Sequence, residues 1–326
     1  MSTDISLSEF KIANEKIENF INYTPLDQYK DNIFLKRESL QKTGSFKWRG
    51  VLYATMCEFD KLLDLKPISD YYIVTQSTGN HGIATIESVY TCIIYYTKLY
   101  PKLKKMWYNV YPVIFTNKSI TNIKLNKMES YLDKFKWKHK GFINNSSLNY
   151  EESVLKRIEF LNGNRGIYLE HGGKNIMTGY GSIALEIHNQ IPINDNISLF
   201  VTIGAGGPIG IGLCLKKLRN IEFNIVQTED FDAFIRSLES GNLEKNKNNL
   251  SVSISDGIAV DRPEFFSIQI ANKIVDKYYR VTNKEVLELK NKNQLGNSTN
   301  ITMAGMLKSN SISKCVIILD CEGNFN

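Results

Sequence analysis

An α/β fold with a largely parallel sheet, divided into two lobes, is what this sequence predicts, and three observations carry the prediction. Short apolar runs of strand length alternate with longer stretches whose apolar residues recur at helical spacing. Two of the strand-like runs feed straight into turns rich in glycine and hydroxyl residues, Ser77-Thr78-Gly79-Asn80 and Gly204-Ala205-Gly206-Gly207, as βα units do. At 326 residues, the chain is also longer than one core comfortably serves.

Taken in order, the first helical pattern covers residues 7–22. A second, 46–60, opens at the turn Thr43-Gly44-Ser45 and carries Val51, Leu52 and Ala54 on its apolar stripe. Strand 71–75 leads through the hydroxyl-rich turn into helix 82–90, and strand 112–116 follows. Helix 150–161 precedes strand 166–169 and helix 180–189. Strand 199–203 runs into the glycine turn and a helix reaching from Leu213 to Leu218, then strand 224–226. The Asn/Lys-rich stretch 242–249 reads as a surface loop, 262–277 as a helix and 316–319 as the last strand. No internal repeat is visible.

Composition narrows the function class. Hydrophobic content of 42% and charged content of 23% are ordinary globular values. The net charge of +6 is dispersed, apart from Lys102, Lys104, Lys105 and the run Lys134-Phe135-Lys136-Trp137-Lys138-His139-Lys140. That run interleaves aromatics with lysines, yet no zinc-ligand spacing or other nucleic-acid module accompanies it, so it reads as an amphipathic, solvated helix. Five scattered cysteines (Cys57, Cys92, Cys214, Cys315, Cys321) without CxxC pairing point to reduced thiols and no structural zinc. The amino-terminal residues lack a basic-then-apolar leader, and no apolar run is long enough to span a bilayer. A cytoplasmic protein that binds neither membrane nor nucleic acid is expected.

Lys47 is the most informative residue. It sits in a Gly/Ser turn at the start of a helix, flanked by Phe46 and Trp48. Low-dielectric neighbours lower an ammonium pKa and release the neutral amine that attacks carbonyls. On residues alone, a surface lysine beside a loop remains equally open. The turn Gly204–Gly207 fits a phosphate cradle, because small residues let backbone N–H groups approach anionic oxygens and the next helix adds its positive end. An ordinary βα turn needing φ > 0 gives the same pattern. Residues 77–81 likewise read as a binding loop or as a plain turn and helix cap. Both turns stand at carboxyl ends of strands, where open sheets bind ligands.

Together, in this order and spacing, these segments resemble the pyridoxal-phosphate enzymes of the tryptophan-synthase-β type (fold type II), and within them the threonine dehydratase and serine racemase subgroup. Further matches to that subgroup are Tyr23-Thr24-Pro25-Leu26, Leu35-Lys36-Arg37-Glu38-Ser39-Leu40-Gln41, Gly179-Tyr180-Gly181-Ser182-Ile183-Ala184-Leu185-Glu186-Ile187 and Ser255-Asp256-Gly257-Ile258-Ala259-Val260. The resemblance runs from Ile12 to Asn326. It implies a two-domain, open, twisted parallel-sheet sandwich with the cofactor in the interdomain cleft. The large domain would be 1–71 with 172–326, and the small domain 72–171. It implies pyridoxal 5′-phosphate bound covalently by Lys47, whose amine, once displaced, takes the substrate α-proton. Phe46 would flank the cofactor, Asn80 would donate to its phenolic oxygen, and Gly204, Ala205, Gly206 and Gly207 would hold its phosphate. Ser77, Thr78, Gly79 and His81 would line the substrate loop, with His171 facing the substrate. The Thr78 hydroxyl stands where racemases carry an acid/base opposite the lysine. Asp320, following the last strand, would meet the pyridine nitrogen, with Cys321 as the alternative.

Four departures accompany the match. Ala205 interrupts the glycines, in the manner of the cysteine-synthase branch, and Pro208 follows them. Gly296-Asn297 stand where the subgroup has Glu-Pro. Asp320-Cys321-Glu322-Gly323-Asn324 replace its Ser-Gly-Gly-Asn, and Gln227 replaces an acid of the racemase cation site, so no metal is expected. The implied activity is a lyase acting on a small β-hydroxy amino acid, by α,β-elimination to an enamine that hydrolyses to keto acid and ammonia. A β-replacement synthase and an amino-acid racemase are the enzymatic alternatives, and a cofactor-binding regulatory homologue is the non-enzymatic one. A homodimer is expected, without an appended regulatory domain after Asn326.

Overall fold

The computed structural model describes residues 4–65, 69–118, 120–134, 140–193, 195–247, 253–255, 257–309 and 313–323. Among them are ten strands: β1 (Leu26–Lys30), β2 (Ile33–Lys36), β3 (Tyr71–Gln76), β4 (Val110–Asn117), β5 (Phe142–Ser147), β6 (Gly166–Tyr168), β7 (Ile197–Thr202), β8 (Ile221–Thr228), β9 (Lys277–Val281) and β10 (Cys315–Leu319). They form two sheets, ordered β1-β2-β10-β7-β8-β9 and β5-β4-β3-β6. Every pairing is parallel except that of β1 with β2.

Two compact units result, one of residues 1–50 with 171–326 and the other of 51–170. The expected boundary fell at 71/72; it lies at 50/51 because the helix Lys47–Leu63 packs most of its length inside the second unit. There Thr55 bonds Ser88 at 2.8 Å, Phe59 stacks on Trp107 at 5.4 Å, and Glu58 accepts from Tyr71.

In the 51–170 unit, Val74, Val113 and Phe115 form a core with Phe142, Phe160 and Leu161 beside it. β3 ends in the turn to helix Asn80–Leu99, where the Ser77 hydroxyl accepts from Gly79 N at 3.1 Å and Gly82 N at 3.0 Å. These two bonds tie the end of the strand to the first turn of the helix.

In the larger unit the central strands β7 and β10 are wholly buried, as parallel strands covered on both faces must be. Helix Lys174–Gln190 packs on helix Ile209–Leu218, and helix Asn297–Lys308 lies on β7 and β8. The polar strand β1 closes one edge with four of its five residues exposed.

Helix boundaries differ from the predicted ones in explicable ways. The first helix ends at Ile17 and a 3-10 turn, Glu18–Phe20, completes it. The helix expected at 82–90 begins at Asn80 and runs to Leu99, and that expected at 180–189 begins at Lys174. The helix expected at 262–277 is Phe265–Ile274, because Lys277 opens β9. Residues 135–139 of the lysine–aromatic run lie outside the described residues, as do 248–249 of the predicted loop, Asp256 and Asn324. No described helix is long and apolar enough to cross a membrane.

Candidate active site

Lys47 is delivered by a turn whose geometry is fixed from two sides. Gly44, at φ 75°, adopts the left-handed conformation that side chains disfavour. Ser45 then caps the helix, its hydroxyl accepting from Lys47 N at 3.3 Å and its carbonyl from Trp48 N at 3.2 Å. Beyond β10 the chain lies antiparallel to this turn: Phe46 N donates to the Cys321 carbonyl and Gly323 N to the Gly44 carbonyl, both at 3.1 Å. This short bridge sets Cys321 and Glu322 beside Lys47.

Phe46, Lys47, His171, Cys321, Glu322 and the loop Gly204–Pro208 line one pocket, with roughly 480 Å³ of non-atom space, open solvent included. Tyr180, Thr202, Gly257, Val260 and Ser298 complete its wall, so every lining residue belongs to the 1–50/171–326 unit. The Phe46 ring sits 5.0 Å from that of Tyr180, and Lys47 Nζ lies 5.9 Å from the Phe46 ring centre. Burial holds the Lys47 amine below the ordinary lysine range, while Glu322 and then Cys321 pull the other way. The Cys321 thiol is pushed well above its usual value, chiefly by burial and then by Glu322 and Asp320. Burial likewise raises the Tyr180 phenol, leaving both groups neutral near pH 7. Glu322 Oε1 accepts from Ser298 Oγ at 2.9 Å, and Ser298 in turn shares a 2.7 Å hydrogen bond with Ser255.

The glycine loop is a built cradle. The Ala205 carbonyl accepts from Glu264 N and Ser267 Oγ, both at 2.9 Å, pinning the loop to the helix Phe265–Ile274. Gly206 has φ 125°, and a Cβ there would lie 1.9 Å from Ser267 Oγ. At Gly207 a Cβ would meet the Tyr180 ring at 2.6 Å and the His171 carbonyl at 3.0 Å. The N–H groups of Gly204 to Gly207 have no partner among the described residues, and the helix Ile209–Leu218 begins immediately afterwards. Unpartnered amides at a helix start suit a phosphate monoester, and a desolvated amine in the same pocket suits a carbonyl. The residues present therefore fit pyridoxal phosphate.

Of the predicted site residues, the pocket gathers Phe46, Lys47, His171, Gly204, Ala205, Gly206 and Gly207. Ser77, Thr78, Gly79, Asn80 and His81 lie in the 51–170 unit, on the turn after β3 and the first residues of its helix. Asp320 is buried but is not among the lining residues. Its Oδ2 accepts from Arg37 Nε at 3.0 Å and from Ser39 Oγ, and its Oδ1 from Thr299 Oγ1 at 3.0 Å. Ser298, Glu322 and Tyr180 were missed. Counting back from Gly323-Asn324, rather than forward from the strand, would have put Cys321 first and drawn Glu322 in. Gln227, where an acid was sought, donates to the Ile203 carbonyl at 3.0 Å and accepts from Ile235 N at 2.9 Å. Asp232 is engaged by Arg236 and Arg280. Among the described residues no cluster of three or more His, Cys, Asp or Glu side chains could hold a metal ion.

Comparison with known proteins gives four findings. The sequence profile of the family described as pyridoxal-phosphate dependent enzyme matches residues 17–292. The chain is 28% identical to the serine racemase of Rattus norvegicus over 300 residues, which cover 86% of this chain and 78% of that protein. It is 27% identical to the L-threonine ammonia-lyase of Thermotoga maritima over 298 residues, 87% of this chain but only 65% of that one. In three dimensions, the structure of maize serine racemase superposes with a TM-score of 0.77 at 20% identity, covering 98% of this chain and 93% of its own. That likeness shows the shared fold.

Proposed function

Because the chain belongs to the family of pyridoxal-phosphate dependent enzymes, we propose that it is a lyase that eliminates water from a small β-hydroxy amino acid, serine or threonine, giving a keto acid and ammonia. The observation that carries this reading is the Lys47 amine, kept below the ordinary lysine range by burial in a pocket that the glycine cradle also lines. When bound, pyridoxal phosphate supplies an aldehyde that captures amino groups and a ring that withdraws electrons from the α-carbon.

The rest is the work of this chain's residues. Lys47 holds the cofactor covalently, and its displaced amine, which burial shifts towards the neutral form, accepts the α-proton. Gly204 to Gly207 present their amides to the phosphate, helped by the dipole of the helix Ile209–Leu218. Tyr180 and Phe46 keep water from the amine. Asn80 and the Ser77–His81 turn serve the cofactor's phenolic oxygen and the substrate carboxylate, as the resemblance implies. Cys321, which lines the pocket, takes the ring-nitrogen role first considered for Asp320.

Racemisation is the second reading. It is favoured by the relative named serine racemase and by the hydroxyl of Thr78, a candidate proton donor and acceptor. A homodimer in the cytoplasm is the proposed setting; five free cysteines suit a reducing compartment. Light scattering tests the dimer.

The test of the whole reading is direct. Purified protein is incubated with L-serine and L-threonine, and keto acid, ammonia and D-enantiomer are quantified by mass spectrometry and chiral chromatography. Borohydride reduction and peptide mapping locate the adduct. Keto acid production with the adduct on Lys47 is expected. An adduct on another lysine, or no turnover of either substrate by cofactor-loaded protein, would sink it.

A further inference from the structure

Glu322 brings a carboxylate into a pocket whose other ionisable wall groups are few. The antiparallel bridge between Ser45 and Glu322 holds the backbone on both sides of it. Its Oε1 is fixed by Ser298 Oγ at 2.9 Å, and that hydroxyl is itself tied to Ser255 at 2.7 Å. Gly296 leaves room for it, since a Cβ at that position would lie 2.7 Å from the Glu322 carbonyl and 3.4 Å from its Cγ. The carboxylate is thus seated by three separate segments of the same unit.

We propose that Glu322 governs cofactor capture: its carboxylate opposes loss of the Lys47 proton in the cofactor-free protein, so the amine becomes more available to the cofactor aldehyde as pH rises. The inference rests on Lys47 being the anchoring lysine, as argued above. An ammonium has no lone pair, so it must first lose a proton. The neutral amine then adds to the carbonyl carbon. The carbonyl oxygen leaves as water with the two remaining amine hydrogens, and a carbon–nitrogen double bond stays behind without change of oxidation state. A fixed carboxylate nearby opposes the first of these events.

The other groups around the amine do not supply that charge. Cys321 and Tyr180 stay neutral, both raised by burial. Asp320 is engaged by Arg37, Ser39 and Thr299, and Glu38 by Arg49. His171 also lines the pocket, but as a base it brings no negative charge. The loop Gly204–Pro208, Gly257 and Val260 carry no ionisable side chain. Glu322 is the carboxylate that acts most strongly on Lys47.

The experiment uses full-length protein stripped of cofactor, with pyridoxal phosphate added over a pH series. Capture is read as the visible absorption of the covalent lysine adduct, and its site is mapped after borohydride reduction. Wild type should capture faster as pH rises through a single midpoint. Glu322→Gln should move that midpoint down by about one pH unit, which means about tenfold faster capture at any pH below both midpoints. Glu322→Asp keeps the charge and should stay nearer wild type, which guards against misfolding as the cause. An adduct on Lys47 with an unmoved midpoint in Glu322→Gln overturns this inference alone. An adduct on a different lysine overturns the anchoring role and this inference together.

Discussion

Replacing Arg49 by alanine should destabilise the 1–50/171–326 unit by about 3–5 kcal/mol, the range for breaking a buried ion pair from one side. The size follows from what surrounds the guanidinium. Nε and Nη2 each donate to a different oxygen of Glu38 at 2.8 Å, while Nη1 and Nη2 meet the two oxygens of Glu186 at 2.6 and 3.0 Å. Lys36 Nζ joins the cluster at 2.5 Å from Glu186. The side chains of Lys36, Arg49 and Glu38 are fully buried and that of Glu186 is 7% exposed. Two cations face two anions, so the cluster is formally neutral, and losing Arg49 leaves one negative charge unmatched. Exposed pairs yield about 0–1 kcal/mol, so the two regimes are easily separated. Urea unfolding followed by circular dichroism is the assay, applied to wild type, Arg49→Ala, Arg49→Met, Glu38→Met and the double variant Arg49→Met/Glu38→Met. The double variant restores neutrality, with Lys36 opposite Glu186, and should unfold no more easily than Arg49→Met alone. A loss below about 1 kcal/mol for Arg49→Ala, or a double variant as weak as the two singles summed, would refute the reasoning.

The remaining predictions concern the loop, the product and the amino terminus. Gly206→Ala should release the cofactor and lower stability by about 2–5 kcal/mol, from positive-φ strain plus the clash with Ser267. Adding Ser267→Gly should recover part of that loss, and full cofactor retention in Gly206→Ala after dialysis would place the phosphate elsewhere. Thr78→Ala and His171→Ala should change the ratio of keto acid to D-enantiomer while leaving covalent capture intact; unaltered ratios and rates would make both residues structural. Glu9 is held at about 2, below its usual 4.5, by the hydrogen bond from Lys174 and that from the Ser6 backbone. The stability it lends is therefore complete above pH 4.5 and disappears as pH falls towards 2. Its side chain is 40% exposed. Solvent screening therefore limits the effect to about 0.3–1 kcal/mol. The difference in melting temperature between wild type and Glu9→Gln should close over that pH range, and a constant difference would count against it.

What the sequence made legible follows from burial. β7 and β10 are apolar throughout, bounded by turn residues, and hydrophobic patterning finds such strands. β1, β5 and β9 escaped it because they stand at sheet edges and read as Leu-Asp-Gln-Tyr-Lys, Phe-Ile-Asn-Asn-Ser-Ser and Lys-Tyr-Tyr-Arg-Val, and β2 escaped it as a run of only four residues, Ile33–Lys36. Helix Lys47–Leu63 was visible, but periodicity says only that a face is covered, never by which unit; hence the boundary at 50/51 rather than 71/72. In the pocket, local turn chemistry left the lysine and the glycine loop open to plain structural readings, and the family resemblance singled them out. Ser298 and Glu322 were not singled out, since what makes them wall residues is the pairing of Ser45 with Glu322 across most of the chain, which no local pattern encodes.

The carboxyl-terminal segment shows how one residue of register decides which side chain lines the pocket. Asp320 still belongs to the strand system: its N–H donates to the Lys36 carbonyl at 3.0 Å and its carbonyl accepts from Ser39 N at 3.0 Å. Side chains alternate faces along extended chain, so neighbours 320 and 321 are given different surroundings. Asp320 receives Arg37, Ser39 and Thr299, partners that satisfy a carboxylate fully. Cys321 receives the pocket, with its N–H facing Thr299 Oγ1 at 3.3 Å and its thiol donating weakly to the Leu319 carbonyl at 3.4 Å. If Cys321 meets the ring nitrogen as proposed, its neutral thiol would leave that nitrogen unprotonated, whereas a carboxylate there would hold a proton on it. An unprotonated ring would be the weaker electron sink, which would favour loss of the β-hydroxyl over return of a proton to the α-carbon. Cys321→Asp is the discriminating variant. It should raise the yield of D-enantiomer relative to keto acid, and an unchanged ratio in cofactor-loaded protein would remove the ring nitrogen from the account of product choice.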